Sequence, residues 1–252
     1  MFGPAFAALL TFAVLLAGAT FGVVLRRCLP DHMLDQDAKD VVRLGMGLIA
    51  TIAALVLSLL ISSSNGLYEA QRSELRNIAG DLIFLDDILR LYGDDTRPAR
   101  LLLRQSIPTM VEHIWSSPDE IDGAPAPLQR NPQAEAAYAS IVGLATHSES
   151  QSLLKAQALQ VVARISQARY QLYERSKARL PSLLIIILVS WMVFLFVSFC
   201  LFSPLKHTST VALAVIALSA STAVFLILEL AQPFGGIMRV SEHPLTTALG
   251  PL

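Results

Sequence analysis

The side chains able to do chemistry in this 252-residue chain are few and scattered. The five histidines stand at 32, 113, 147, 207 and 243. No two are at i, i+4, the spacing that would put two imidazoles on one helix face around a metal. Two cysteines, Cys28 and Cys200, are too few for a disulfide scaffold or a four-thiolate zinc site. No nucleophile elbow, phosphate-binding loop, dinucleotide fingerprint or H-E-x-x-H motif occurs. Asp31, His32, Asp35, Asp37 and Asp40 form an acidic cluster of a kind that attracts cations. It lacks the D-x-D-x-D-G pattern of a calcium loop and reads as a solvated connection. The chain is therefore expected not to be an enzyme and to carry no cofactor or metal.

Two polar features inside apolar surroundings remain. Thr51, Ser58 and Asn65 are seven residues apart and so share one face of a helix, with Ser62, Ser63 and Ser64 widening the stripe at one end. Hydroxyls are tolerated in lipid because they bond to carbonyls of their own helix, but a whole stripe prefers protein or water. Two readings follow. Thr51, Ser58, Ser62 and Asn65 line a pore without fixed charge, with Arg72 and Arg76 at its mouth, or the stripe is a helix–helix contact. The second feature is Glu229, an acid at the edge of an apolar run. A carboxylate in lipid is costly unless paired, protonated or near the interface. Glu229 is then either an ion or proton site, or an interface carboxylate bonded to backbone N–H groups around Gly235 and Gly236.

The elements that must position these residues follow from where charge is absent. The chain is 54% hydrophobic and 15% charged, and residues 1–25, 44–68, 180–205 and 207–228 carry no Asp, Glu, Lys or Arg. Each window exceeds the roughly 20 apolar residues that cross a hydrocarbon core of about 30 Å. Membrane spans are expected at residues 4–25, 44–64, 182–202 and 209–230. The first contains Gly18 and Gly22, a G-x-x-x-G that permits close helix contact, within the chain or in a dimer. Arg26 and Arg27 end that run as they would end a retained anchor rather than a cleaved signal. Cys28 and Cys200 fall toward one membrane face, where a bridge would require Cα atoms within about 7 Å. A net charge of −1 argues against nucleic acid as a partner.

Residues 69–179 carry 13 basic and 14 acidic side chains and show helical rather than strand periodicity. Leu75, Ile78, Leu82, Leu85, Leu89 and Tyr92 form one heptad-like seam, and Leu154, Ala158, Val161, Ile165, Ala168 and Leu172 form another. Gly93 ends the first helix in a left-handed cap. Thr96 is expected to N-cap the next, which has Pro98 in its first turn, a kink at Pro108 and an end near Trp115. Residues 116–132 read as a Pro-rich loop, and residues 132–146 as a short Ala-rich helix. The two seams predict an antiparallel helical stalk. The fold class is thus all-α: four transmembrane helices with a helical domain between the second and third. The expected parts are residues 1–68, 69–179, 180–232 and an interfacial tail at 233–252, where Phe234 and Ile237 suit the headgroup region.

Four stretches, in order, resemble one family. They are G-M-G-L-I-A-T-I-A-A-L-V-L at 45–57, L-D-D-I-L-R-L-Y-G at 85–93, residues 97–104, and F-L-I-L-E-L-A-Q-P-F-G-G-I-M-R-V-S-E-H-P-L at 225–245. The last is the most specific. The chain resembles bacterial bestrophin-like membrane proteins, a family without assigned activity. The resemblance implies the layout of bestrophins, which are pentameric anion channels with four membrane helices and a cytoplasmic helical part after the second. One departure stands out: the second span has no aromatic residue before Tyr68, whereas bestrophins carry an aromatic-rich neck there.

Four spans put the N-terminus, residues 69–179 and the C-terminus on one side. Seven basic residues flank the helices there (Arg72, Arg76, Arg169, Arg175, Lys177, Arg179, Arg239), against five on the other (Arg26, Arg27, Lys39, Arg43, Lys206). Together with the bestrophin layout, this margin places the helical domain in the cytoplasm of a bacterial inner-membrane protein. The expected function is an oligomeric ion channel, anion-leaning by analogy of layout. The alternative is a non-conducting scaffold that recruits a partner through its helical domain, and a weaker third is a transporter using Glu229. The expected partners are the lipid bilayer, small inorganic ions and further copies of the chain.

Overall fold

The computed structural model describes residues 3–28, 36–115, 131–177, 182–202 and 207–248. These fold as α1 (Pro4–Cys28), α2 (Gln36–Tyr92), a 3-10 turn (Asp94–Thr96), α3 (Arg97–Trp115), α4 (Pro132–Val142), α5 (Glu149–Lys177), α6 (Ser182–Phe202), α7 (His207–Leu230) and the single turn α8 (His243–Thr246). No strand occurs among the described residues. Two compact units emerge. One is Met1–Leu67 with Arg179–Ala231, and the other is Tyr68–Ala178 with Gln232–Leu252. The 57-residue α2 contributes to both.

The first unit contains helices long and apolar enough to cross a membrane: Pro4–Cys28, the apolar part of α2, Ser182–Phe202 and Ser209–Leu230. Only 17–22% of each apolar window is buried within the protomer, so most of this apolar surface faces outward, as lipid or further protein requires. Leu15, Phe12, Leu16 and Ala19 of α1 pack with Met192, Val193 and Phe196 of α6 and with Leu213, Ala217 and Ala220 of α7. Ala53, Val56, Leu57 and Leu60 of α2 pack with Leu188, Trp191 and Met192 of α6 and Ile227 of α7.

The G-x-x-x-G is an internal contact. A Cβ on Gly22 would lie 2.6 Å from the Val197 carbonyl and 2.9 Å from Cys200 Cβ, and one on Gly18 would lie 3.0 Å from Val193. The missing side chains let α1 approach α6. Cys28 and Cys200 are both free thiols, one exposed and the other buried.

In the second unit both sequence seams are buried. Leu75, Ile78, Leu82, Leu85, Leu89 and Tyr92 share one core with Ala158, Val161, Ile165, Ala168 and Leu172. Polar rungs fix their direction. Gln71 Nε2 donates to the Arg175 carbonyl at 3.1 Å, Arg164 pairs with Asp81 at 2.8 Å, and Gln151 Nε2 donates to the Tyr92 carbonyl at 3.4 Å. Position falls along α5 as it rises along α2, so the helices are antiparallel.

Local chemistry differs from expectation at several points. The second helix starts at Gln36, so the connection after α1 is shorter than the sequence implied. Asp40 there forms an exposed pair with Arg43 at 3.5 Å, while Asp31, His32 and Asp35 lie outside the described residues. Gly93 takes φ 126°, ψ −174°, a region open essentially to glycine, rather than a left-handed cap. Thr96 does not N-cap α3. Its hydroxyl donates to the Leu89 and Gly93 carbonyls, satisfying the end of α2 instead. The next helix ends at Val142, and its cap is Asn131, which accepts from Ala134 N at 3.0 Å while donating to the Ser106 carbonyl at 3.0 Å. The expected loop at 116–130 and the turn at 203–206 lie outside the described residues.

Candidate functional site

The polar stripe is a consequence of helical register. At 3.6 residues per turn, Thr51, Ser58, Ser62 and Asn65 cluster on one side of α2, and Ala53, Leu60 and Ser64 cluster about half a turn away. The packing follows that division. Ala53, Leu60 and Ser64 are buried in the membrane-type unit, whereas Thr51, Ser58, Ser62 and Asn65 are all exposed. Ala53, Val56, Leu57 and Leu60 of α2 pack on α6 and α7, and the outward side carries the polar stripe together with exposed Leu44, Leu48, Leu55 and Leu59. Ser64 therefore does not widen the stripe as its position beside Ser62 and Ser63 suggested. It faces the core and donates to the Leu60 carbonyl at 2.8 Å. Thr51 Oγ1 likewise donates to the Gly47 carbonyl at 2.8 Å, which keeps a hydroxyl satisfied in a dry setting.

The two arginines past the apolar part of α2 are not equivalent. Arg72 is half-buried and pairs with Glu69 at 3.2 Å, so much of its charge is compensated locally. Arg76 is exposed and has no ion pair among the described residues. It borders an open polar cleft with Glu74, Asn77, Asp81, Arg164 and Gln171.

Glu229 sits in the last turn of α7 and is 2% exposed. A carboxylate at that end of a helix meets the negative pole of the helix dipole, so its burial there is not a helix-stabilising choice. The Gly235 N–H donates to the Gln232 carbonyl at 3.0 Å.

The helical unit holds a charged cluster that periodicity does not reveal. Asp86 of α2 receives both Nε and Nη2 of Arg100 at 2.8 Å, and Arg104 Nη2 approaches at 3.6 Å. The hydrogen-bonded Arg100 guanidinium holds the Asp86 carboxyl below the usual carboxylate range, against the opposing effect of burial. The same bond raises Arg100 above its ordinary value. The cluster joins the stretch at 85–93 to that at 97–104.

The C-terminal string has a structural task as well. Gly236, at φ 75°, helps turn the chain, and Val240 N donates to the Pro233 carbonyl at 2.7 Å. Val240 and Leu245 then enter the core of the helical unit. Trp115 Nε1 donates to the Val240 carbonyl at 3.0 Å, and its ring meets Phe234 edge-on at 5.5 Å. Phe234 is thus packed against α3, whereas Ile237 remains 81% exposed.

The bestrophin-like domain matches residues 12–245, nearly the whole chain. The chain belongs to the bestrophin-like family. Among solved structures it is similar to a single-substitution variant of a bacterial bestrophin homologue from Klebsiella pneumoniae. The TM-score is 0.61 at 15% identity, over 94% of each chain. No curated protein sequence matches it. At that identity the structural likeness establishes the bestrophin-like fold and leaves individual side chains to be argued on their own geometry.

Sequence reasoning found the α2 stripe but missed the Asp86 cluster and the Trp115 latch. The spacing of Arg100 and Arg104 was a signal for the first: four apart, they lie on one helical face that a single acid can serve. Nothing local marked the latch, which joins residues 125 positions apart.

Proposed function

We propose that this protein is an oligomeric ion channel whose second helix lines the conduction path. The observation that carries this reading is the outward polar stripe of α2. Thr51, Ser58, Ser62 and Asn65 are exposed in the protomer, on the side opposite the helix's packing face. Such a stripe is poorly suited to lipid tails, and a symmetric assembly that turns it toward a central axis gives it water and ions. Hydroxyls and amides there solvate an ion weakly enough to release it, as conduction requires. With no fixed charge on the stripe, selectivity falls to charge at the mouth. Arg76 forms no ion pair among the described residues, although Glu74 and Asp81 line the same cleft, and it favours anions by attraction, while Arg72 is partly neutralised by Glu69.

The same reading places the protein in the bacterial inner membrane with its helical unit in the cytoplasm. Reporter fusions after Gly123 and at Leu252 should read cytoplasmic, and one near Asp35 periplasmic. Reversed signals would overturn the orientation. Conduction is tested by anion flux into liposomes carrying the purified protein. Substituting Arg76 with Gln should lower anion preference more than the same change at Arg72, with flux retained.

A scaffold reading is favoured by one observation. Ile83, Phe84, Leu91 and Leu101 of the helical unit are exposed, with Leu91 at 71%. Such residues serve a foreign partner if the protein is monomeric and a neighbouring subunit if it is not. The symmetry of purified particles separates the two: a closed ring supports the channel, and a monomer leaves the scaffold.

A further inference from the structure

Inside the helical unit, α3, α4 and α5 enclose a cleft of about 490 Å³ over the buried face of α2. This lies within the size range of small-ligand sites. Its floor is apolar, made by Leu82, Leu85, Met110 and Ile141, each 3% exposed or less. Most polar groups in its wall are already engaged. Ser106 Oγ donates to the Leu103 carbonyl, Ser166 Oγ to the Val162 carbonyl, and Asn131 uses both ends of its amide on backbone. Glu135 is exposed on the first turn of α4, where an acid suits the helix dipole and water.

Arg169 is different. It lines the cleft, is not exposed, and has no ion pair or hydrogen bond among the described residues. Burial pulls its guanidinium below the ordinary arginine value. A partly desolvated cation with no ion partner is costly, and an anion seated beside it reduces that cost. The planar fork of a guanidinium matches a carboxylate through two parallel hydrogen bonds.

We propose that this cleft is a binding site for a single-chain amphipathic anion, its carboxylate on Arg169 and its apolar tail against Tyr138, Leu159 and Val162, above the sealed Leu82, Leu85, Met110 and Ile141. The pairing of one half-buried cation with apolar walls selects this class. A small inorganic anion leaves the apolar walls at Tyr138, Leu159 and Val162 in water, and a neutral chain leaves Arg169 unpaired.

Octanoate is the probe, added to the full-length protein in phosphatidylcholine nanodiscs and followed through a 13C-labelled carboxyl group. Saturable binding is expected, with affinity reduced about tenfold or more in Arg169→Gln, as loss of a charge-assisted contact implies. Arg169→Lys should restore part of it. Ala163 is exposed at the cleft wall, so Ala163→Trp tests the cavity with the charge intact and should also abolish binding. Circular dichroism confirms that each variant is folded. Octanol binding as tightly as octanoate, inorganic phosphate competing on equal terms, or Arg169→Gln and Ala163→Trp both retaining full affinity would each overturn the proposal.

Discussion

Asp86 shows how much of the helical unit rests on single charges. Its side chain is 12% exposed and those of Arg100 and Arg104 are 17% and 19%, so the cluster is largely out of water. Substituting Asp86 with Asn leaves two guanidinium groups without their shared counter-charge and should cost about 3 kcal/mol in chemical denaturation. The pH dependence has a definite sign. The Asp86 carboxyl is depressed in the folded state by its hydrogen bonds to Arg100, so its stabilisation is fully present above the unfolded value of about 4. It is lost as pH falls through the depressed folded value. Wild-type stability should therefore decline below about pH 4 more steeply than that of Asp86→Asn, measured as denaturation midpoint against pH. Trp115 is a second case. Replacing it with Phe keeps the edge contact to Phe234 but deletes the bond to the Val240 carbonyl, a loss of about 1 kcal/mol that protease sensitivity of the tail should report.

At the scale of elements, the helices most legible from sequence are those whose partners lie at the same periodicity. The seam from Leu75 to Tyr92 and that from Ala158 to Leu172 are both buried because a heptad-like stripe can be covered only by another stripe. Leu85 is fully buried between them, and Leu85→Asp should cost several kcal/mol or prevent folding, read by thermal melting of the purified protein. The α1–α6 contact carries a similar demand. Gly22→Leu would force a side chain into the Val197 backbone and should separate the two helices, lowering the amount of protein recovered from membranes. Less legible were features set by groups far apart in the chain. Thr96 looked like an N-cap because it precedes Pro98, yet its hydroxyl serves the carbonyls behind it. The tail after Gln232 looked interfacial because it holds Phe234 and Ile237. The residues that decide its placement are Val240 and Leu245, whose contacts lie on α3 and the helical core. Buried ion pairs share this difficulty, since charge spacing along one helix does not say which acid on another will meet it.

For the whole molecule, membership of the bestrophin-like family and its all-α fold account for the order of elements, and the candidate site is a question of assembly. Within one protomer the α2 stripe is uncovered, so the same four residues would face lipid in a monomer, protein in a sealed oligomer or water in a channel. The stripe was legible in the sequence because its seven-residue spacing needs only helical register. Its surroundings were not, because nothing within one protomer covers it. Cysteine substitution at Thr51, Ser58 and Asn65, on a background lacking Cys28 and Cys200, tests the claim directly. The reconstituted oligomer is treated with a membrane-impermeant thiol reagent while anion flux is followed. A conducting path along α2 predicts labelling at all three depths, with flux blocked as each site reacts. Protection at 51 and 58, with labelling confined to 65 and flux unchanged or absent, would contradict it.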